Sequence, residues 1–432
     1  AMKNATKSMS FNWSTFILFW VISLVFFHTH AQTNTFREVS GRIVDQKTKE
    51  PLALASVTLI PHQGSTVTNK EGRFSIKVPF NAPPQELSVS YMGYESARLA
   101  IGKAEEPLII SLVPSAMIIR EVTVSVPQDP GVLVDEMLQN RDRQGLQQKG
   151  VLLTFFREAV RKKNKNLSLA EAIIQIDKQP NRVDKSDVAR MIQFRKSTNY
   201  KPNDTLAVKL QGGPYNTLFL DIAKYPAIVF DQEAIKAYQF THMGFTQIDQ
   251  KLVHIVHFEQ KKNVITPLYR GELYITTEGK HLAKAIFDMN VTDQDAAAAL
   301  FVRKKPARVK LWPTSVKYQV QYSPQSNQWN FQYSKMEMTF KAHWKNRLFN
   351  AQYQISAEMA VTDVGLPELL NSARISEEIK PSVVLSESTK GFGDPDFWGE
   401  YTVIEPDQSI EEAIDRIVKQ MNRWQKKSSQ HE

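Results

Sequence analysis

The stretch TNKEGRFSI, residues 68–76, predicts a tight turn that leads into a β-strand. Asn69 and Gly72 are typical turn residues, and Phe74 and Ile76 then alternate with polar neighbours. Short strands of this kind, separated by turns, recur at regular spacing from residue 36 to residue 126. This spacing is typical of an all-β sandwich, in which each strand buries one of its faces.

A longer sequence around this stretch resembles a known family. VSGRIVDQKTKEPLALASVTLIPHQGSTVTNKEGRFSIKVP (39–79), followed by ELSVSYMGYES (86–96), is similar to the carboxypeptidase-regulatory-like domain. The motif positions of that family are occupied here by Gly41, Ile43, Asp45, Pro51, Leu52, Gly64, Thr68, Gly72 and Phe74. The resemblance implies a transthyretin-like Greek-key sandwich of seven or eight strands, without catalytic residues of its own. Such domains open many exported proteins, including nutrient receptors of the Bacteroidetes outer membrane.

A second, larger region begins after VPQDPG (126–131), where two prolines and a glycine interrupt the β pattern. Apolar residues at helical spacing (133–138) predict a short linker helix. Beyond residue 150 the pattern predicts consecutive antiparallel strands, with an apolar face that switches near Ser334. NTLFLDIAKYP (216–226) predicts a helix ended by its final proline, whereas LSLAEAIIQI (167–176) fits either a helix or a strand.

The last part of the sequence predicts an amphipathic helix. Ser409 and Glu412 have the spacing of a capping box, in which the two side chains bond backbone N–H groups of the first turn. An apolar stripe follows, formed by Ile410, Ala413, Ile414, Ile417, Met421 and Trp424. We expect this stripe to dock on the sheet.

The larger region also resembles a family. RGELYITTEGKHLAKAIFDMN (270–290), Trp344–Lys345, EMAVTD (358–363) and FWGEYTVIEPDQSIEEAIDRI (397–417) are similar to uncharacterised Bacteroidetes envelope proteins that pair such a region with the regulatory-like domain. Longer relatives continue into an outer-membrane barrel. The Tyr-x-Gly-x-Leu-Tyr-Ile segment that starts at Tyr269 also resembles, in architecture only, the curved sheets of lipoprotein carriers.

The N-terminus predicts export. Lys3 and Lys7 precede an apolar run (16–27) and then Thr29-His30-Ala31, which together have the organisation of a secretory signal peptide cleaved after Ala31. The alternative is an uncleaved anchor, although the run is shorter than the roughly 20 apolar residues of a spanning helix. The sequence contains no cysteine, which excludes an acylated cysteine, disulfides and thiolate metal sites.

The formal net charge of +9 does not by itself indicate nucleic acid. The basic clusters RKKNK (161–165) and RKK (303–305) are interpreted as solvated turns, the first at the tip of a hairpin. Since export also separates a protein from nucleic acid, we expect no nucleic-acid partner.

The family name suggests a peptidase, but the motifs of one are missing. The sequence has no His-x-x-Glu, HExxH or G-x-S-x-G, and no Walker or Rossmann glycine pattern. Beyond the predicted signal peptide, His254 and His257 form the only close histidine pair, and on a strand they project from opposite faces and cannot share a metal ion. We interpret them as two sheet histidines.

The segment DPDFWGEYTVIE (394–405) imitates a calcium loop. Asp394, Asp396, Gly399 and Glu405 occupy template positions, but position 5 is Trp398, which cannot bind calcium. The segment is better interpreted as a turn anchored by a buried Phe397–Trp398 pair. We therefore assign no catalytic, cofactor-binding or metal-binding residue and expect no cofactor.

The fold is predicted to be mainly β: a Greek-key sandwich, then an α+β domain with a curved antiparallel sheet and a C-terminal helix. The predicted division is 1–31 signal peptide, 32–127 sandwich, 128–150 linker and short helix, 151–405 curved sheet with short helices, and 406–432 helix and tail.

The predicted function is that of an exported, non-catalytic binding or assembly protein of the Bacteroidetes envelope. Its expected location is the periplasm or the periplasmic face of the outer membrane, with peripheral association, and its partner an envelope protein or a lipid-like ligand. The alternatives are an envelope hydrolase without a recognisable motif and a small outer-membrane barrel. An apolar concavity of the second domain would either bind a lipid-like ligand or a partner's hydrophobic segment, or be covered by helices and the sandwich domain. Its predicted walls are Tyr318, Tyr322, Phe331, Tyr333, Phe349 and Tyr353.

Overall fold

A computed structural model gives a mainly β architecture, as the sequence predicts. It describes residues 36–61, 64–80, 85–102, 106–115, 127–163, 165–198, 213–231, 234–301, 309–325, 328–345, 348–365, 377–381 and 391–428. The predicted signal peptide, a predicted strand at 120–126 and the basic cluster 303–305 lie outside these ranges.

The N-terminal module is a sandwich of two small sheets. Its strands are β1 (Phe36–Asp45), β2 (Ser56–Ile60), β3 (Ser65–Val67), β4 (Arg73–Pro79), β5 (Glu86–Ser90), β6 (Ala97–Ala100) and β7 (Leu108–Leu112). One sheet has the order β4-β1-β7 and the other β3-β2-β5-β6, with β1 and β7 the parallel pair. Ile43, Val57, Phe74 and Leu87 pack between the sheets and are almost fully buried.

At two of the motif positions, the backbone geometry favours glycine over any residue with a side chain. A Cβ at Gly41 would lie 2.5 Å from the carbonyl oxygen of Leu108 and 2.8 Å from the ring of Phe74. Gly72 has a φ of +72°, a conformation that L side chains rarely adopt. The turn quoted at the outset therefore depends on its glycine.

The second module is built on one large antiparallel sheet. Its strands are β8 (Gly150–Lys162), β9 (Lys165–Lys178), β10 (Val188–Thr198), β11 (Tyr238–Ile248), β12 (Lys251–Gln260), β13 (Tyr269–Thr276), β14 (Leu282–Met289), β15 (Val309–Gln325), β16 (Gln328–Trp344), β17 (Ala351–Gly365) and β18 (Glu377–Glu378). Their order is β11-β12-β13-β14-β15-β16-β17-β8-β9-β10-β18, so the last long strand, β17, pairs with the first, β8. The ambiguous segment 167–176 is therefore a strand, part of β9.

In the described ranges, four α-helices accompany the sheet: α1 (Gly131–Asn140), α2 (Tyr215–Leu218), α3 (Gln294–Phe301) and α4 (Gln408–Ser428). Single 3₁₀ turns lie at Arg141–Arg143, Pro226–Ile228 and Ala234–Ala237. The predicted linker helix is confirmed as α1. No helix in the described ranges has both the length and the hydropathy that crossing a membrane requires.

The prediction of a helix over 216–226 is wrong, because α2 spans only four residues. Beyond it the chain continues in backbone turns that are fixed by tertiary hydrogen bonds: the Asp221 carboxylate accepts from Lys178 Nζ at 2.7 Å and from the Tyr322 hydroxyl at 2.9 Å. The backbone N–H of Ala223 donates to the same hydroxyl at 3.1 Å. These partners hold the segment in successive turns against the sheet.

One face of the large sheet, here called the inner face, is covered by α1 and residues 215–230. Leu133 and Val134 of α1, together with Leu218 and Phe230, are buried in this core. Of the predicted concave residues, Tyr318, Tyr322, Phe331 and Tyr353 belong to it. The apolar concavity is therefore covered by the chain's own residues.

Two of the predicted concave residues lie elsewhere. Tyr333 is buried on the opposite face, here called the outer face, which packs against the sandwich. A register shift explains this, because Gln321 pairs with Tyr333 whereas Tyr322 pairs with Phe331, so the bulge falls at Gln332, close to the predicted switch. The prediction for Phe349 is wrong: it precedes β17 and its side chain is 83% exposed.

Helix α4 docks on the outer face, as its apolar stripe predicts. Ile410 and Ala413 are buried against Ala159 of β8 and Leu169 of β9. The side chain of Trp424 lies outside the described part.

The predicted capping box of α4 is wrong, because the cap is Asp407. Its Oδ1 accepts from the backbone N–H of Ile410 at 2.9 Å. The Ser409 hydroxyl donates to the same carboxylate, at 2.5 Å, instead of capping the helix.

Candidate functional site

Polar contacts fix the sandwich on the outer face of the large sheet. The Ser65 hydroxyl donates to the carbonyl oxygen of Val361 at 2.6 Å, and the N–H of Lys77 donates to the Thr402 hydroxyl at 3.0 Å. At the far end of the interface, the N–H of Gly93 donates to the carbonyl oxygen of Gln247 at 2.9 Å. Because the first two bonds end on backbone or buried groups, the two modules have a defined relative position.

A polar cleft of about 580 Å³ lies where the two modules meet, and we call it the interdomain cleft. The sandwich contributes Leu54 and 68–70, strands β8 and β15–β17 contribute polar outer-face side chains, and 404–410 closes one side. Its charged lining residues are Lys70, Arg157, Arg161, Lys317, Lys335, Glu337, Glu358, Glu405 and Asp407.

A buried ion network forms one wall of the cleft. The Glu171 carboxylate accepts from Arg157 Nε at 2.7 Å and from Arg195 Nε at 2.8 Å, and Arg157 also pairs with Glu358 at 3.2 Å. Burial alone would raise the pKa of Glu171, but the charges and hydrogen bonds of the two arginines outweigh it and lower the pKa. Because every member is paired, this network is structural support.

Other charges in the cleft differ in their partners. Lys70 pairs with Asp407 at 2.9 Å. Lys317 is exposed and, within the described ranges, forms no ion pair or hydrogen bond. Glu405 is half-buried, and burial raises the pKa of its carboxyl. Lys317 and Glu405 are thus the groups of opposite charge that the fold leaves available.

Arg161 is a cleft residue that the sequence interpretation missed. The predicted hairpin tip at 161–165 is confirmed, with Lys163 at a φ of +53° between β8 and β9. The Arg161 guanidinium donates to Asn166 Oδ1 at 2.9 Å and to the Ser409 hydroxyl at the start of α4. The sequence predicts that Arg161 lies at the end of a strand. It does not predict the contact with Ser409, which is about 250 residues later.

His254 and His257 were interpreted as two unrelated sheet histidines, and the structure adds a different neighbour. His254 Nδ1 lies 3.1 Å from His242 Nε2 on the adjacent strand β11. Burial lowers the pKa of His254 to about 4, and the neighbouring charges of Lys280 and His242 act in the same direction. The bulge between His242 and Gly244 brings the two rings together, and the sequence spacing did not reveal it.

The calcium-like segment is a series of turns. The N–H of Asp396 donates to Asp394 Oδ1 at 3.0 Å, while Glu405 lines the interdomain cleft. Phe397 and Trp398 are half-buried, with ring centroids 4.8 Å apart, and Trp398 packs edge-on against Phe155. Among the described residues, no group of three His, Asp or Glu side chains is arranged to hold a metal ion.

Residues 39–124 match the family model of the CarboxypepD_reg-like domain, which confirms the predicted domain. The chain is similar to an outer membrane lipoprotein-sorting protein domain from Vibrio parahaemolyticus, with 8% identity, covering 56% of this chain and 94% of that one, at a TM-score of 0.24. A LolA superfamily protein from Nitrosomonas europaea gives 8% identity, 55% and 97% coverage and a TM-score of 0.21.

A DUF1329 family protein from Desulfovibrio piger gives 10% identity, 54% and 94% coverage and a TM-score of 0.20. Comparison with curated proteins gave no significant match. At these TM-scores, the function has to be argued from the chain's own residues.

Proposed function

We propose that this chain is an exported, non-catalytic binding or assembly protein of a bacterial envelope, and that the interdomain cleft holds a polar segment of an envelope partner. The observation that carries the proposal is the cleft itself: both modules build it, and its volume is about 580 Å³. The resemblance of both modules to Bacteroidetes envelope proteins supports the choice of compartment.

The chemistry of the cleft favours a polar partner over a lipid. A lipid chain needs an apolar wall, whereas the strands present Lys317, Glu337 and Gln354 here. The apolar surface of the second module is instead buried between the sheet, α1 and 215–230. Charges of both signs favour an extended peptide segment as the ligand. Its charged side chains would form ion pairs with them, and its backbone groups would form hydrogen bonds.

The cleft offers little for catalysis. Ser315 and Ser356 carry hydroxyl groups into it, but a serine nucleophile requires a neighbouring base. The described lining contains no histidine. The carboxylate at the centre of the buried ion network, Glu171, is already saturated with arginine. We therefore assign the cleft to binding.

The proposal includes the predicted processing and domain division. Cleavage after Ala31 would leave a mature chain beginning at Gln32, with the sandwich (32–127) and the sheet module (151–405) as its units. N-terminal sequencing of protein recovered from the envelope is expected to begin at Gln32. A start at Met2 would contradict export with cleavage.

Site-specific crosslinking tests the cleft. A photoreactive residue replaces Lys317 in one variant and, as the matched control, Lys310 in another. Both lie on β15 and are exposed, but Lys310 is outside the cleft. We expect one defined peptide adduct from position 317 in envelope preparations and none from position 310. Equal labelling from the two positions, or a lipid as the only bound species in native mass spectrometry, would overturn the proposal.

A further inference from the structure

Lys284 is a buried cation on the outer face of the sheet. It lies on β14, where it pairs across the sheet with Tyr274 of β13 and Gln321 of β15, and it is only 9% exposed. Among the described residues its ammonium forms no ion pair and no hydrogen bond, although the carboxylate of Asp249 lines a cavity with it. A buried charge without a partner is costly, so its presence here calls for an explanation.

A second polar group is unpartnered beside it. The hydroxyl of Ser323 is buried and has no hydrogen-bond partner among the described residues. Lys284 and Ser323 line the same small cavity, of about 30 Å³, between β5 of the sandwich and the sheet. That volume accommodates one or two water-sized groups, which is the size of a carboxylate.

A larger cavity, of about 290 Å³, adjoins this one and shares five lining residues with it. Hydroxyl groups line part of its walls, contributed by Ser56, Thr58, Ser88, Ser90 and Ser323. Hydroxyls both donate and accept hydrogen bonds, so they match the hydroxyl groups of a polyol. A volume near 300 Å³ is at the lower end for small-molecule sites.

We propose that Lys284 and Ser323 bind the carboxylate of a small polyhydroxylated acid, whose hydroxyl groups lie among the serines of the adjoining cavity. The carboxylate would give the buried cation its missing counter-charge and the Ser323 hydroxyl an acceptor. This site shares only Leu54, and no charged residue, with the interdomain cleft, so its test leaves the proposed function untouched.

The other charged groups around the site are compatible with an anion. Asp249 lines both cavities, and its carboxylate accepts from the Ser96 hydroxyl at 3.1 Å, while Arg98 stands on the same wall and offsets its charge. Burial raises the pKa of the Tyr91 and Tyr274 hydroxyls, so both stay neutral. Burial also lowers the pKa of Lys284 to about 8, and the amine is therefore largely protonated at neutral pH.

Isothermal titration calorimetry of the mature chain with three probes tests the site. Gluconate carries both the carboxylate and hydroxyls, acetate only a carboxylate, and sorbitol only hydroxyls. At constant ionic strength and pH 7 we expect gluconate to bind more tightly than acetate and sorbitol not to bind. Binding of gluconate should weaken as the pH rises above about 8, because the amine loses its proton.

The Lys284→Met variant should weaken gluconate binding at least tenfold, and its Tm should equal or exceed that of the wild type because a buried unpaired charge is removed. Lys317→Met, which removes an exposed lysine from the other cleft, should bind gluconate unchanged. Equal affinity in Lys284→Met, equal binding of sorbitol and gluconate, or no binding of either acid by the wild type would overturn the proposal.

Discussion

The two faces of the large sheet are built from the same strands, yet they are used differently. On the inner face, aromatic residues such as Phe258 and Phe287 pack against α1 and 215–230 and leave little surface to water. On the outer face, the sandwich and α4 cover only part of the area, and the remainder is lined by Lys317, Glu405 and other polar groups. The apolar face therefore stabilises the fold, while the polar face retains clefts that could hold a ligand.

The largest effect should come from the inner face. Phe258→Ala removes a fully buried ring that contacts Phe230, Tyr238 and Phe287, and we expect a loss of about 3–5 kcal/mol in the free energy of unfolding. The matched control is Phe349→Ala, whose ring is 83% exposed, with a change of less than ~0.5 kcal/mol. Urea denaturation at pH 7 measures both. Similar losses would show that the inner face is not the main core.

An intermediate effect should come from the ion network of the outer face. Glu171→Gln leaves Arg157 and Arg195 buried without their shared carboxylate, and we expect a loss of about 3 kcal/mol. In the control, Glu337→Gln removes an exposed partner of Lys335 and should change stability by less than ~1 kcal/mol. If chemical denaturation gave Glu171→Gln no greater effect than this control, the network would not be the support of the cleft described above.

The smallest effect should come from the start of α4, where the outer face is closed. Asp407→Ala should cost about 1–2 kcal/mol through the lost cap, and Ser409→Ala less. Burial opposes ionisation, but hydrogen bonds from Ser409 and Lys70 and the charge of Lys70 hold the pKa of Asp407 well below its usual value. Its contribution is therefore complete above about pH 4 and is lost as the pH falls through the folded-state pKa.

Thermal unfolding of the two variants at pH 7 and pH 2.5 measures this difference. The gap between wild type and Asp407→Ala should narrow at the lower pH. Asp407→Ala removes an ion pair with Lys70 as well as the cap, and Lys70→Met is the control that removes the ion pair alone. Because this pair is partly exposed, we expect it to stabilise the protein less than the cap does. If Ser409→Ala lowered the Tm more than Asp407→Ala did, Ser409 and not Asp407 would be the cap of α4.

The sandwich was predictable because its determinants are local. Gly41, Gly72 and Phe74 lie within one short motif, and the positive φ of Gly72 is a property of that turn itself. Helix α4 and most strands of the large sheet were predictable from the spacing of their apolar residues, whereas the pattern of 167–176, now part of β9, fitted a helix equally well. The end of α2 was not, because the backbone N–H of Ala223, which a longer helix would have used, donates to the hydroxyl of Tyr322 from a distant strand.

The candidate sites were not predictable from the sequence. Leu54, Lys317 and Glu405 meet in one cleft although they are far apart along the chain. Lys284 is an ordinary lysine in sequence, and only its burial under the sandwich distinguishes it. Such sites form where two modules dock, and docking produces no periodic pattern of residues in the sequence of either module.

The pairing of β17 with β8 also affects how the chain folds during synthesis. Arg157 and Glu358, neighbours across these strands, are about 200 residues apart, so β8 emerges during synthesis long before its partner. Until then the β8–β10 segment has an open edge that can pair with other chains. Long-range pairing of this kind slows folding. A chain truncated before residue 351 would therefore lose both cooperativity and protection of that edge, because nothing else described in the structure pairs with that side of β8.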